Sequence, residues 1–543
     1  MNKIYDDFFH DSMIINPDWN LYFQIPKYKK YQKVFKNYIS PKEIKKQKDF
    51  YKKYKKLLDK RIKSKSYKNY PDKIKLYDKI LNYEINTSLE GFKYNFEYMP
   101  LDQMENSIVS YMIEASGEAG SLYQFETVGD YKDYIIRTTQ FSDFCNQCIK
   151  NMKKGIKKGI VLPRKITIKL TSDIEDALNS NTHYNKKVPP KLRKEWDKTM
   201  EKHIVKPVKK LITFLKGDYL KASRKTIGLY DVPNGDKMYD YAIKVNTTLD
   251  NLSAKDIHEI GKKEVSRIEK EMNKIKNKHG FKNKSLKQFN EYLNKLPEQH
   301  FKNKKDLMNT YKDMQKYIWK NVMPQNFDIP IKYDYLIKPV PKSMELSAAQ
   351  AYYEAGDLSG KRKGIFYINQ RDVPGMLRMD VESLSLHEGN PGHHYQTTIT
   401  NESDIPMFIK MGNYVAYIEG WALYSENLGV YEDDISYYGK LSSEMFRSVR
   451  LVVDTGIHRF KWSYDKCKKY FKKYTPMSDI DIDAELDRYI SLLGQALSYK
   501  IGELTILKLK HKYKNMNIKK FHRKVLENGN IPLKILEEYF KKY

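Results

Sequence analysis

Residues 383–396 read SLSLHEGNPGHHYQ and bring His387, Glu388, His393 and His394 into eight positions. A His-Glu pair followed within two helical turns by further His is what a zinc hydrolase requires. Two neutral imidazoles grip the metal, and the carboxylate beside the first takes a proton from the water that the metal polarises. The usual arrangement sets the two His one turn apart on a helix face. Here His387 and His393 are six apart, about 240° around an ideal helix. Pro391 also lacks the backbone donor that would bond the carbonyl of His387. The spacing therefore predicts a bulge or kink at 390–392 that swings His393 back to the metal. His394 is the alternative second ligand, although two unbroken turns would carry it ~10 Å along the axis.

Leu377, Val381, Leu384 and Glu388 follow helical spacing, which puts the Glu388 carboxylate on an apolar face where it needs a partner. A third ligand is sought in 413–429, NYVAYIEGWALYSENLG. There Val415, Ile418, Ala422 and Leu423 form an apolar stripe that includes Glu419 and Glu426. Two carboxylates on a buried stripe are costly unless a positive charge faces them. Glu419 follows His393 at a distance that allows a loop and a returning antiparallel helix, so it is the expected third ligand of one Zn2+. Glu426, two turns on, is expected to orient an imidazole through its other nitrogen. The same set without metal would be a buried salt-bridge network.

The elements that position these residues are mainly helical. Gly (25) and Pro (20) are sparse in 543 residues and Tyr is abundant at 45, which suits long helices better than a turn-rich β protein. Amphipathic segments fill 1–130, with a basic helix over 42–63 and another over 72–86. A helix over 131–157 is broken by GIVLPRK, and 191–220 reads as helix. The segment 228–241, with Asn234-Gly235, reads as a turn. Ser253 is the expected N-cap of the next helix. That helix contains a decoy pair, His258-Glu259, read as helix surface because Lys262 stands where HExxH needs its second His. Only 324–369 looks β-rich: IPIKYDYLI is one candidate strand, and AAQAYYEAG and GIFYINQ flank a turn at 357–364 as a hairpin would. Tyr352 and Tyr353 on this edge are candidate substrate contacts, since an edge strand can pair with an extended peptide. From 376 onward the pattern is helical. There is no repeat or convincing linker, so the expectation is a single unit over 1–543, with lobes over 1–323 and 324–543.

The net charge of +31 comes mostly from Lys interspersed with Glu, which reads as solvated helix faces more than as a specific nucleic-acid site. The alternative is an inactive scaffold that binds nucleic acid or another polyanion, with affinity falling steeply in salt. Three Cys make no disulfide framework, and Cys145-x-x-Cys148 on a helix reads as ordinary reduced thiols. The first residues, MNKIYDDFFHDSMIINP, show no basic and apolar signal pattern, and no run of about 18 apolar residues predicts a membrane span. An intracellular (cytoplasmic) setting with no membrane insertion is the expectation.

HEGNPGHHYQ, EGWALYSE, RLVVDTGIH and RYISLLGQALSYKIG, in this order, resemble the bacterial domain-of-unknown-function family 885, which is grouped with zinc metallopeptidases of the gluzincin type. GIVLPR, TTLDNLSAKDIHEIG and AYYEAGDLSGKRKGIFYIN extend the resemblance over most of the chain. It implies a cleft-bearing, largely helical fold similar to thimet-oligopeptidase-like and carboxypeptidase-Taq-like enzymes. It also implies hydrolysis of short or unfolded peptides, in a carboxypeptidase or oligopeptidase mode. The GH of PGHH looks like the GH of their HExGH, and Glu419 looks like their ligand Glu. By the same analogy Tyr499 is the first candidate, and His458 the second, to donate to the carbonyl oxygen that gains negative charge. Asp454, one turn before His458, would fix its tautomer. Arg450 and Lys500 are candidates to hold a substrate carboxylate.

Overall fold

The computed structural model describes residues 3–118, 121–342, 344–345, 348–357 and 362–543. The chain is mainly helical with one small sheet. It forms two compact units, Met1–Met238 and Tyr239–Tyr543. The expected lobe boundary at 323/324 is therefore moved toward the N-terminus. The reason is Ala254–Lys278, whose buried Ile257, Gly261, Val265 and Ile268 pack along the helix Asp434–His458. It belongs with the half that carries the His cluster.

The longest helix of the N-terminal unit, Val128–Lys158, opens on a Thr127/Asp130 capping box and stops at Gly159 in the left-handed region, φ 71°. Cys145 and Cys148 lie inside it, buried and unbridged, and burial pushes both thiols above their ordinary range. The segment after it restarts as Arg164–Asn179. The predicted turn over 228–241 is shorter than expected: Asn234 has φ 59°, and a helix begins at Gly235.

In the C-terminal unit, α1 (Ala254–Lys278) starts at Ser253, whose side chain accepts from Asp256 N–H while Asp256 accepts in return. The His258-Glu259 pair splits. Glu259 is exposed, but His258 is buried and its Nδ1 lies 2.8 Å from Thr455 Oγ1. Its place beside Ile257 and Gly261 on the apolar stripe explains the difference. Next come α2 (Lys304–Asn321) and the strands β1 (Leu336–Pro339), β2 (Ala351–Glu354) and β3 (Ile365–Ile368). The sheet order is β1-β3-β2, with β1 parallel and β2 antiparallel to β3, so β2 is an edge. The expected hairpin forms, although 358–361 of its turn lie outside the described residues. The first expected strand is reduced to its C-terminal end.

Six helices complete the frame: α3 (Val381–Glu388), α4 (His393–Glu402), α5 (Val415–Glu426), α6 (Asp434–His458), α7 (Asp479–Ser491) and α8 (Ser498–Lys512). Leu307 and Tyr311 of α2, Phe366 and Ile368 of β3 and Val381 of α3 share one core, which fixes α3 against the sheet. α5 runs against α8 at Gly420 and Gly502. A Cβ on Gly420 would meet Gly502 Cα at 2.4 Å, so only glycine allows this approach. No described helix is long and apolar enough to cross a membrane.

Candidate metal centre

α3 ends at Glu388 and α4 begins at His393, so the predicted kink is a full interruption. The connecting residues fold back over the last turn of α3: a Cβ on Gly392 would meet His387 O at 1.9 Å. Only glycine can pass there, and this return sets His393 beside His387. The rings lie at 89° with centroids 4.9 Å apart. α5 holds the turn in place, because Trp421 Nε1 donates to Pro391 O at 2.8 Å.

Glu419, two residues before that Trp, completes the group. Its Oε2 is 3.5 Å from His387 Nε2 and 3.4 Å from His393 Nε2. Three donors around a tetrahedral ion at about 2.0–2.1 Å stand about 3.3 Å apart, so both measured edges fit zinc. Glu419 Oε2 is buried and has no hydrogen-bond partner. A buried, unpartnered carboxylate oxygen aimed between two imidazoles is costly without a cation. Among the described residues, His387, His393 and Glu419 are the group whose donor atoms could close on an ion.

Electrostatics around the triad follow from who faces whom. Burial pulls the His387 imidazole down, but the facing carboxylates of Glu419 and Glu426 outweigh it and push it up to about 9. Burial raises Glu419, and the two imidazoles overcome this and hold it well below the carboxylate range. Glu426 Oε1 is 2.8 Å from His387 Nδ1. With Nδ1–H donated there, Nε2 presents its lone pair to a metal. Glu426 is itself held by Ser443 Oγ at 2.8 Å, and Arg447 Nη2 lies 4.0 Å away. Burial raises Glu426, but Arg447, His387 and Ser443 keep it ionised.

Glu388 is buried at 9% exposure, and burial raises its carboxyl while His393 and His387 draw it back. The backbone N–H of Tyr353 on β2 lowers it slightly as well. The edge strand β2 packs beside α3.

His394 is not part of the triad. Its Nδ1 is 3.0 Å from Tyr353 Oη and its Nε2 is 3.1 Å from Tyr333 O. Both nitrogens are engaged, and burial pulls the ring down to about 4. It therefore serves β2 and is not the second ligand of the candidate triad. Tyr353 is correspondingly a positioning group whose hydroxyl is turned to His394. Tyr352, on the opposite face, stacks on Tyr367 at 5.1 Å.

Four further expectations are corrected. His458 has no exposed surface and its Nε2 faces Tyr489 O at 2.9 Å, so it cannot reach a substrate. Asp454, raised to about 7 by burial, accepts from Tyr239 Oη. Lys500 is fully buried among Glu444, Glu503 and Glu264, at 2.7, 2.7 and 3.0 Å. Arg450, 5% exposed, is bound to Glu485 at 3.0 Å. Neither cation is open to a substrate carboxylate. Tyr499 is 8% exposed, and its hydroxyl accepts from Arg488 Nη2 at 3.3 Å.

Sequence reasoning passed over Trp421, Ser443, Arg447 and Arg488. Two of them had a signal: Trp421 lies inside EGWA, and Arg488 opens RYISLLGQALSYKIG. Ser443 and Arg447 had none, because only the packing of α6 brings them to Glu426.

A family model described as "Bacterial protein of unknown function (DUF885)" matches residues 17–539. A solved structure from Colwellia psychrerythraea superposes with a TM-score of 0.84 at 22% identity, covering 99% of this chain and 98% of that one. Another from Shewanella oneidensis gives 0.79 at 15% identity, covering 98% of each chain. Each is described as a "putative lipoprotein", the second of unknown function. No curated protein matches. At these identities the solved structures establish a shared fold and nothing finer.

Proposed function

The chain belongs to the DUF885 family of bacterial proteins of unknown function, and we propose that it is a gluzincin-like zinc metallopeptidase acting on short or unfolded peptides. The observation that carries this reading is Glu419 Oε2, buried without a partner at 3.4–3.5 Å from two imidazole Nε2 atoms. His387, His393 and Glu419 would hold the ion. Zinc, when bound, supplies Lewis acidity toward water and toward the peptide carbonyl.

The side chains do the rest. Glu388 takes the proton from the attacking water and returns it to the leaving amine. Its burial raises its proton affinity toward that task. Glu426 locks the His387 tautomer, and Ser443 and Arg447 keep Glu426 ionised. Tyr499 Oη accepts from Arg488, which leaves its own O–H to donate to the oxygen that gains negative charge. The outer edge of β2, beside Glu388, suits an extended peptide backbone.

The test pairs metal content with turnover. Zinc-loaded protein should cleave short unstructured peptides. Glu388→Gln should keep one zinc per chain and lose about 10²–10⁴-fold in kcat. Equal turnover by the variant would remove Glu388 from the role of base. No cleavage by the loaded wild type, with zinc bound, would end the peptidase reading.

A further inference from the structure

Arg488, on α7, is a poorly neutralised guanidinium. Its Nη2 donates to two neutral acceptors, Gln495 Oε1 at 2.9 Å and Tyr499 Oη at 3.3 Å. Its Nε is buried with no partner. Its Nη1 stands 3.8 Å from Glu485 Oε1, too long for a hydrogen bond. That carboxylate is already committed elsewhere: Glu485 Oε2 takes Arg450 Nη2 at 3.0 Å and Tyr489 Oη at 2.5 Å. One carboxylate thus faces two guanidiniums, and Arg488 carries the excess charge. Its side chain is 25% exposed, against 5% for Arg450, so Arg488 can meet a ligand and Arg450 cannot.

The position is fixed from the other side by Tyr499. Its ring lies under Arg450 at 4.6 Å, and its hydroxyl is the acceptor of Arg488. Three residues further along α8, Gly502 lies against Gly420, the residue after Glu419. Tyr499 therefore stands on the helix that packs against the one carrying Glu419. An extended peptide whose carbonyl is held at the triad could then reach Arg488 with its C-terminal end.

We propose that Arg488, with Tyr499 beside it, receives the terminal carboxylate of the peptide. The substrate class is then short peptides with a free C-terminus. A planar guanidinium with free donors on Nη1 suits a carboxylate. This rests on the peptidase reading above and names the substrate of that same site.

Binding tests it without turnover. Zinc-loaded Glu388→Gln protein is titrated calorimetrically with Gly-Phe-Leu as the free acid, with its C-terminal amide, and with Gly-Phe-Glu amide. The free acid should bind at least about tenfold more tightly than either amide, since a charge-assisted pair is at stake. Adding Arg488→Gln should bring the acid down to the affinity of the amide. Arg488→Lys, which keeps charge but loses the fork, should retain part of the preference and guards against a folding defect. Equal binding of acid and amide, or a preference that survives Arg488→Gln, overturns the proposal. Tight binding of Gly-Phe-Glu amide overturns it too, in favour of an acidic side chain. None of these outcomes depends on cleavage, so the peptidase reading stands or falls separately.

Discussion

Glu419 and Glu444 are buried carboxylates in the same unit, and what faces each of them is different. Glu444 takes Lys500 at 2.7 Å and Lys440 at 2.6 Å, and Arg267 closes on it as well. Glu503 and Glu264 share Lys500, and Asn427 covers Glu503 at 2.8 Å. Three carboxylates thus meet three cations, and the cluster is complete from the chain alone. Around the triad, Glu388, Glu419 and Glu426 meet one guanidinium, Arg447, at 4.0 Å, and two imidazoles. The protein that neutralises one cluster fully leaves two negative charges over in the other. A divalent cation would supply the missing pair, and without it a proton on His387 is the partial substitute. A metal-free salt-bridge network is what Glu444 has, and the Glu419 group lacks its cations.

The largest effects should separate the two clusters by removing a charge from each. Lys500→Met leaves three carboxylates facing two cations, with Glu503 stripped of its Lys, and should cost about 3–5 kcal/mol in urea unfolding, with no recovery on adding zinc. Glu419→Gln should abolish zinc binding and cost the metal-free protein clearly less than Lys500→Met does. Zinc rescue of Lys500→Met, or a severe loss in metal-free Glu419→Gln, would erase the distinction.

Next in size is the pH response of the metal-free protein. His387 is raised to about 9 by the carboxylates facing it, against burial. Its proton contributes full stability below about 6.5 and loses it as pH rises through about 9, on the order of 3 kcal/mol. Unfolding of the metal-free wild type at pH 6.5 and 9.5 should show this loss. His387→Gln and the zinc-loaded wild type should not, and a parallel loss in all three would point away from His387.

The smallest effect sharpens the role of the residues behind His387. Ser443→Ala removes one donor from Glu426 and should weaken zinc affinity about tenfold, the scale of outer-shell partners. An unchanged competition titration against a chelator would show that Arg447 suffices to hold Glu426.

How far the sequence carried this picture follows from the same contrast. His387, Glu388, His393 and Glu419 were legible because ionisable groups on apolar stripes are rare and their chemistry narrows the choice. Glu426 was readable for the same reason. The choice between His393 and His394 was not, because it depends on how Gly392 passes over His387 O, which is a matter of close approach. Lys500, Arg450 and His458 were misread because a buried charge is assigned by its partners. Glu264, Glu444 and Tyr489 reach them only through the packing of α1, α6, α7 and α8. The helical character was plain from composition. The unit boundary was not, because α1 joins α6 across a long stretch of chain.

The most direct test of the central claim is an anomalous difference map at the zinc edge from crystals grown with zinc. The account predicts one peak about 2.0–2.2 Å from His387 Nε2, His393 Nε2 and Glu419 Oε2, and none at the Lys500 cluster. No peak inside the triad with zinc in excess, or Glu419 turned away from both imidazoles, would contradict it.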